Sequence, residues 1–293
     1  MCSEQHSTPV QDRLLAWFAG QARDLPWRGG ASPWGVLVSE VMLQQTPVPR
    51  VMPVWRQWLA RWPEPTGLAA EPAAEAIRAW GRLGYPRRAM RLHAAAMVIT
   101  AEHGGQVPST YEALRTLPGV GDYTAAAVVS FAFGGRAVVL DVNVRRFFAR
   151  YFDGQPAPAA QVTAAERARA EALLPAEAPA AWAAATMEFG QLICTARNPA
   201  CDRCPVADGC AWLSRGRPGA GTRTTKPQSY VGTDRQVRGL IVAHLHAGPA
   251  ARPTLDALWP ADPIQLARAL DSLVADGLVD PIAPATYALP GDG

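Results

Sequence analysis

Four cysteines stand close together near residue 200, where their thiols could bind a metal. Cys194, Cys201, Cys204 and Cys210 are separated by six, two and five residues, so four thiolates can converge on one centre. Structural zinc usually shows two Cys-x-x-Cys pairs, and only one is present here. The spacing therefore favours an iron–sulfur cluster and leaves zinc open.

Two carboxylates are placed where they could do acid–base work. Glu40 is flanked by the apolar residues Val36, Leu37, Val41 and Leu43, a setting that should raise its pKa and suit a general acid. Asp141 precedes a helical segment as a natural N-cap, and the helix dipole should keep it ionised. Each also has an ordinary interpretation, as a surface glutamate and as a plain helix cap.

A glycine-rich turn lies between two helical patterns, at Leu117-Pro118-Gly119-Val120-Gly121. Its glycines permit positive φ, and the amides of the turn and of the next helix can form a socket for one phosphate of a DNA backbone. The alternative is a plain connection between two helices, because a lone Gly-x-Gly is a weak signal.

The basic residues are almost all arginines. The formal net charge is +3, and arginines cluster at Arg87/Arg88/Arg91, at Arg145/Arg146/Arg150 and from Arg215 to Arg223. Such clusters suit a surface that faces phosphates, although solvated helix faces are more common. The single lysine, Lys226, limits the chemistry that an amine nucleophile could supply.

Short helices broken by Pro and Gly must position these residues. We predict helices from Pro9, over 34–45, near 50–60, 71–80, 87–103 and 110–116, after Gly121 and Asp141, and over 161–173, 180–193, 234–246 and 263–275. Two short strands are expected at 277–279 and 286–289. Helices followed by a hairpin predict a small winged-helix-like α+β domain at 230–293, after a Pro- and Gly-rich linker at 216–229.

The sequence also limits where the protein acts. No run of eighteen apolar residues occurs, and the start has no signal-peptide pattern. Clustered rather than dispersed cysteines fit a reducing compartment, and Cys2 is expected to be a free thiol. We therefore expect a soluble, intracellular, cytoplasmic protein that does not contact membranes.

Four motifs in this order resemble the adenine DNA glycosylases of the endonuclease III superfamily. They are Ser39-Glu-Val-Met-Leu-Gln-Gln-Thr46, Leu117-Pro-Gly-Val-Gly121, Leu140-Asp-Val-Asn-Val-Arg145 and the four-cysteine spacing. The resemblance covers roughly residues 9–215. It implies a mainly α, two-lobed helix-hairpin-helix glycosylase over 1–215, with a 4Fe–4S cluster in the 194–210 segment. It also implies excision of adenine mispaired with 8-oxoguanine or guanine from double-stranded DNA, by a monomer.

The same resemblance implies roles for single residues. The Glu at position 40 would protonate the adenine, the Asp at 141 would stabilise the sugar cation, and Tyr123 and Asn143 would hold that Asp and the sugar. The flipped adenine would be lined by Trp27, Arg28, Leu43 and Val48. Contacts to DNA would come from Gln44, Gln45, Thr46, Leu83, Tyr85, Leu117, Gly119, Val120 and Gly121, with Gln45 and Tyr85 as wedges.

Two departures from the family pattern and two alternatives accompany the resemblance. Tyr123 stands where bifunctional relatives carry a lysine, so efficient strand cleavage is not expected. A tyrosine there also fits thymine-mismatch relatives, which would not be expected to keep Glu40. Residues 230–293 are too short for the Nudix-like domain that helps many family members to read 8-oxoguanine, so the resemblance assigns no such role to them. A non-catalytic iron–sulfur DNA-binding protein is the remaining alternative, and it gives no reason for Glu40.

Overall fold

The structure, a computed structural model, describes residues 9–220 and 230–293. These residues form two compact units, one of residues 9–36, 109–115 and 120–220, the other of residues 37–108, 116–119 and 230–293. The division into 1–215, 216–229 and 230–293 stays a prediction, and Cys2 and Lys226 lie outside the described residues. Within 9–220 and 230–293, no helix has the length and apolar character needed to span a membrane.

Helices dominate the described chain, as predicted. In chain order they are α1 Pro9–Gln21, α2 Pro33–Leu43, α3 Val48–Arg61, α4 Pro65–Ala69, α5 Ala73–Trp80, α6 Arg87–Glu102, α7 Tyr111–Thr116, α8 Asp122–Phe133, α9 Val142–Tyr151, α10 Ala164–Ala172, α11 Pro179–Leu192, α12 Ala211–Ser214, α13 Asp234–Leu245, α14 Arg252–Asp256 and α15 Pro263–Ala275. The strands are β1 Ala250–Ala251, β2 Asp280–Ala283 and β3 Thr286–Ala288. Short α4, α12 and α14 and strand β1 were not expected from the sequence.

The first unit is built round α9 and α11. Phe147 of α9 and Phe189 of α11 meet edge to face at 4.9 Å between ring centroids, and Trp17 of α1 meets Phe189 at 5.6 Å. Leu14, fully buried on α1, joins the same core. Aromatic burial of this size dominates core energetics, so the start of α9 is fixed by a rigid scaffold.

The second unit has an aromatic core of its own. Trp58 of α3 contacts Trp62 and Trp80 edge to face, at 4.8 and 5.8 Å between centroids. All three rings are almost completely buried. Helices α4 and α5 both pack on α6, which begins two residues after Tyr85.

The last part of the second unit has the element order of a winged-helix domain. Helix α13, strand β1, helices α14 and α15 and strands β2 and β3 follow one another, and the antiparallel sheet has the order β1-β3-β2. In the register, Tyr287 pairs with Ala250 on one side and Pro281 on the other. The predicted mainly α fold with a small winged-helix-like C-terminal part is confirmed.

The predicted strand at 277–279 is wrong. Gly277 has φ +67°, its amide donates to Val274 O, and the amide of Leu278 donates to Leu273 O at 2.9 Å. This pattern ends α15 in a Schellman motif, which the following apolar residue closes by burial. Leu278 and Val279 are therefore buried core residues after a helix, and the strand begins at Asp280.

The predicted extension of α2 to Gln45 is also wrong. The helix ends at Leu43, and Gln45 lies in a turn with φ +57°. A non-glycine residue in the left-handed region is unusual and marks a turn held by its surroundings. The second predicted strand is confirmed at Thr286–Ala288, one residue shorter than expected.

Candidate active site and iron–sulfur centre

Asp141 is the N-cap of α9 and is held by three hydrogen bonds. Its Oδ1 accepts from the amides of Asn143 and Val144 at 2.9 and 2.8 Å, and its Oδ2 accepts from Asn143 Nδ2 at 2.5 Å. The cap predicted from the sequence is present. Both carboxylate oxygens are thus oriented by groups of the same helix turn.

Burial raises the pKa of Asp141, although the bonds from Val144 and Asn143 and the charge of Arg146 oppose that rise. The expected depression of this pKa by the helix terminus does not occur, because removing the carboxylate from water outweighs the hydrogen bonds. An ionised Asp141 is therefore poorly compensated by its surroundings. Such a group gains more from a nearby developing cation than a solvated carboxylate would.

Asn143 links the cap to the core of the unit. Arg146 Nη2 donates to Asn143 Oδ1 at 2.9 Å and to Gly190 O at 2.5 Å. A Cβ on Gly190 would lie 2.7 Å from the carbonyl oxygen of Asn143 and 2.8 Å from its Cβ. Glycine at 190 on α11 therefore allows the first turn of α9 to approach, a requirement that the sequence reasoning missed.

The four cysteines surround one cavity in the first unit. All four are free, partly buried thiols, and they line one pocket together with apolar side chains such as Phe147, Ile193 and Trp212. Within residues 9–220 and 230–293, no three His, Cys, Asp or Glu side chains are grouped to hold one metal ion. The thiols thus ring a cavity instead of meeting at one point. A donor set of four soft sulfurs in an apolar shell fits an iron–sulfur cluster.

Burial makes two of these thiols, Cys194 and Cys204, hard to ionise by themselves. It raises the pKa of Cys204 to about 11, with the amide of Val206 opposing the rise, and it raises the pKa of Cys194 against the charge of Arg150. Metal binding requires thiolates, so the cluster's own positive charge must replace the lost water. When bound, the cluster would be held by Cys194, Cys201, Cys204 and Cys210, and it would link the two ends of the 194–210 segment to its middle.

Two arginines support this loop from α9. Arg146 Nε donates to Cys194 O at 2.7 Å, and Arg150 donates to Thr195 O at 2.6 Å and to Cys194 Sγ at 3.5 Å. Arg150 also lies over the Trp212 ring, 4.5 Å from its centroid. The interpretation of Arg145, Arg146 and Arg150 as a phosphate-facing group is wrong. Arg146 and Arg150 are buried, and Arg145 is paired with Glu166 at 3.0 Å.

Glu40 lies on α2 and is buried, with 6% of its surface exposed. Its neighbours Ser39 and Val41 are also buried, so the apolar setting predicted from the sequence is present. Glu40 is the one charged side chain in PWGVLVSEVML. A buried carboxyl group on an otherwise apolar helix is expensive to keep, which is typical of a functional residue.

Arg88 is a buried arginine that ties two turns of the second unit together. It donates to Met42 O, in the last turn of α2, at 3.0 Å. It also donates to Thr46 Oγ1 at 3.0 Å and to Gln44 O at 2.5 Å, both in the turn that follows α2. It also donates to Gly84 O at 3.0 Å. The predicted wedge turns, Gln44–Thr46 and Gly84–Tyr85, are therefore fixed by one guanidinium. Its interpretation as a surface residue facing phosphates is wrong.

The two predicted wedge residues share an unusual backbone. Gln45 and Tyr85 have φ of +57° and +52°, and both side chains are exposed. Tyr85 has 51% of its surface exposed, so its ring is accessible from solvent. Thr46 and Leu83 are buried beside them and support the turns instead of offering contact area.

The glycine-rich turn has positive φ at one of its two glycines, because Gly121 has φ −89°. Gly119 has φ +80°, and Arg115 of α7 donates to Val120 O at 2.7 Å and pairs with Asp122 at the start of α8. Gly119 and Gly121 are exposed, whereas Leu117 and Val120 are buried anchors. A Cβ on Gly119 would meet Arg91 of α6 at 2.8 Å, so this turn also needs glycine for close packing.

Trp27 and Arg28 occupy the first unit. Trp27 is buried, and Arg28 donates to Glu188 Oε2 at 2.9 Å while its guanidinium lies 5.3 Å from the Phe18 ring centroid. Glu188 is completely buried and also accepts two bonds of 2.7 Å from Arg23. Burial opposes its ionisation, but the two guanidiniums hold its pKa down to about 2. The Arg23–Glu188 ion pair was not predicted from the sequence, because 165 residues separate its two members.

The predicted site residues are divided between the two units. The first contains Asp141, Asn143, Trp27, Arg28 and Tyr123, the last partly buried against Ala126, Val139 and Ala183. The second contains Glu40 with the partly buried Leu43, Gln44 and Val48 and with the wedge turns. In the first unit the structure joins Asp141 directly to Asn143, and in the second it joins the two wedge turns through Arg88.

Two family models match the chain. That of the HhH-GPD superfamily of base excision DNA repair proteins matches residues 38–171, and that of the iron–sulfur binding domain of endonuclease III matches residues 194–210. The adenine DNA glycosylase of Mycobacterium tuberculosis (strain CDC 1551 / Oshkosh) is 48% identical over 284 residues, 96% of this chain and 93% of that protein. The chain belongs to the adenine DNA glycosylases.

Further similarities agree with this family. The adenine DNA glycosylase of Mycolicibacterium smegmatis is also 48% identical, over 98% of this chain and 97% of its own length. A solved thermostable thymine-DNA glycosylase superposes with a TM-score of 0.64 at 28% identity, covering 70% of this chain and 95% of that one. The predicted base-excision glycosylase function and the predicted iron–sulfur cofactor are confirmed at this level, and as a DNA glycosylase the protein acts on DNA.

Proposed function

We propose that this adenine DNA glycosylase removes adenine mispaired with 8-oxoguanine or guanine, by hydrolysis and without strand cleavage. The observation that carries the proposal is the pair of carboxyl groups in contrasting settings. Glu40 is buried on an apolar helix, whereas Asp141 is fixed by amide donors at a helix N-terminus. Two carboxyl groups whose surroundings differ are the usual basis for dividing acid and stabilising roles.

The reaction breaks one bond and forms another. Glu40 gives a proton to a ring nitrogen of adenine, the bond between the base and C1′ of the sugar breaks, and its electron pair leaves with the base. The negative charge of Asp141 stabilises the oxocarbenium-like sugar. Water then adds to C1′ and loses a proton, which leaves free adenine and an abasic site.

The remaining predicted residues would serve access to the base. We propose that adenine is flipped out of the duplex, that Trp27, Arg28, Leu43 and Val48 line its pocket, and that Tyr123 and Asn143 position Asp141 and the sugar. Gln45 and Tyr85, in exposed strained turns, would wedge into the duplex.

The chain would act as a monomer, which sedimentation with and without DNA tests directly.

The absence of strand cleavage follows from the residue at 123. A lyase reaction needs an amine to form a Schiff base with the sugar, and Tyr123 has a phenol. The single lysine of the chain, Lys226, is in the sequence segment predicted as a linker. Borohydride added during turnover should therefore trap no covalent protein–DNA complex.

The test is single-turnover cleavage of a duplex with adenine opposite 8-oxoguanine, analysed with and without alkali. We expect strand breaks only after alkali, and loss of excision by at least a hundredfold for Glu40→Gln, the range of a general-acid contribution. Glu177→Gln, the same exchange at an exposed carboxylate, is the control and should behave as wild type. Cleavage of a guanine–thymine mispair in preference to adenine would overturn the substrate assignment, and breaks without alkali would overturn the monofunctional mechanism.

A further inference from the structure

The C-terminal residues 230–293, called here the C-terminal domain, are packed in a fixed way on helix α5. Ala74 and Ile77 of α5 are buried in the same apolar core as Ile241 of α13 and Leu270 of α15. Arg78 of α5 donates to His246 O at 3.0 Å and pairs with Asp292. The domain therefore shares a core with the helix that leads into the Tyr85 turn.

A three-way ion pair sets the orientation of α13 beside that turn. Asp276, which follows α15, accepts from Arg238 of α13 at 2.6 Å and lies 3.2 Å from Arg87 at the start of α6. Arg87 stands two residues after Tyr85. One carboxylate thus connects the C-terminal domain to the segment that carries the exposed tyrosine.

This packing brings Arg235 of α13 to the Tyr85 ring. Its guanidinium carbon lies 5.9 Å from the ring centroid, within the range of a cation–π contact. Arg88 also lies near that ring, at 5.5 Å, but its guanidinium is buried and donates to backbone and threonine oxygens. Arg235 is exposed, so of these two cations it is the one that can reach a ligand in solvent.

The acid next to Arg235 in sequence is already engaged. Asp234 accepts from Arg268 at 2.7 and 2.9 Å and from Gln265 at 2.9 Å. Its negative charge is thus engaged by side chains of α15. An exposed guanidinium next to an exposed ring can donate two parallel hydrogen bonds, and the two non-bridging oxygens of a DNA phosphate can accept them.

We propose that Arg235 is a DNA-binding residue, by which the C-terminal domain binds a backbone phosphate next to the point where Tyr85 meets the duplex. The proposal rests on the proposed function, because it takes the Tyr85 turn as part of the DNA interface. It assigns to this domain a positioning contact with the backbone. Discrimination between bases opposite adenine does not depend on it.

The experiment measures the salt dependence of binding to a duplex whose adenine carries a non-hydrolysable 2′-fluoro sugar. One lost phosphate contact lowers the slope of log K against log salt by about 0.9. We expect Arg235→Ala to show that change and to weaken binding equally for 8-oxoguanine and guanine partners. Arg235→Lys should keep the slope, because the charge remains. Arg252→Ala is the control, since Arg252 is in the same domain and is paired with Asp256.

A double variant tests whether Tyr85 holds the arginine. With Tyr85→Ala already present, Arg235→Ala should change binding less than it does in wild type, because the ring that positions the guanidinium is gone. Equal slopes for Arg235→Ala and Arg252→Ala would overturn the proposal. If wild type fails to excise adenine, the proposed function fails. If wild type excises adenine and Arg235→Ala binds as wild type does, this inference alone fails.

Discussion

At the scale of single residues, Asp141 combines two demands that oppose each other. As an N-cap it stabilises α9 by satisfying the amides of Asn143 and Val144. As a partly buried carboxylate it costs folding free energy when it is charged, and its pKa is raised by desolvation. The sugar cation of the proposed reaction would remove that cost, so stability and catalysis pull the residue in different directions.

Replacing Asp141 by Asn should therefore separate stability from activity. Because the folded-state pKa lies above the ordinary value, folding favours the protonated acid. The contribution of this group to the free energy of unfolding is fully present below the ordinary aspartate pKa, about 4. It is lost as pH rises through the folded-state pKa. Relative to Asp141→Asn, wild type should lose about 1.4 kcal/mol of unfolding free energy per unit by which the pKa is raised. Urea unfolding of both proteins between about pH 4 and pH 7 measures this difference.

Excision by Asp141→Asn should be lost at every pH, since the amide has no charge to offer the cation. The control is Asp262→Asn, the same exchange at the exposed N-cap of α15, where the carboxylate accepts from the amide of Gln265 at 2.9 Å. If wild type and Asp141→Asn change stability in parallel across this range, Asp141 is not destabilised by its burial.

At the scale of elements, the crossing of α9 and α11 positions the proposed catalytic carboxylate. Gly190 lets the first turn of α9 approach so closely that a methyl group would overlap Asn143. The added methyl group would meet the carbonyl oxygen, the carbonyl carbon and the Cβ of Asn143. Rotation of a flexible side chain cannot move these atoms, so it cannot relieve the contact. The position of α9 is thereby coupled to the position of Asp141.

Gly190→Ala should move α9 and lower activity together with stability. Overpacking of this kind costs about 1–3 kcal/mol, more than the helix propensity gained by alanine. Gly20→Ala in α1 is the matched control, because nothing lies within 4 Å of its added Cβ, and we expect it to be neutral or to stabilise by up to about 1 kcal/mol. Thermal unfolding and single-turnover excision of both variants check this. Wild-type excision by Gly190→Ala would mean that α9 can shift without displacing Asp141.

Local signals predicted the elements that carry the site. The cap at Asp141, the turn at Gly119 and the bounds of α15 each depend on a few neighbouring residues, and the structure agrees with all three. The cysteine spacing predicted four thiols around one centre, and the structure places all four on one pocket. These features follow from backbone geometry and capping, which a sequence states within one or two turns.

Partners distant in sequence were not predictable. Arg146 and Arg150 have the composition of a solvated basic face, but they donate to carbonyls of the 194–210 segment more than forty residues later. Glu188 gave no signal that two arginines near residue 25 would neutralise it. The strand expected at 277–279 failed for a related reason, because an apolar pair after Gly277 fits either a strand or the closure of a helix end.

At the scale of the whole molecule, the C-terminal domain is part of the second unit's core. Ile77 of α5 is 1% exposed and lies among buried residues of α13 and α15. The amide of Ala74 donates to Pro290 O at 2.9 Å, which adds a backbone bond to the apolar contact. A region that the sequence predicts as a separate domain thus shares its core with a helix of the glycosylase part.

Truncating Ile77 to Ala tests whether these parts unfold together. Loss of a buried isoleucine should cost about 2–5 kcal/mol. If α5, α13 and α15 unfold as one cooperative unit, amide hydrogen exchange should accelerate in α13 and α15 as much as in α5. Ile264→Ala, at an isoleucine that is 77% exposed on α15, is the control and should leave exchange unchanged. Faster exchange confined to α5 would show that residues 230–293 fold as an independent domain. The contact of Arg235 with Tyr85 would then depend only on how that folded domain packs on α5.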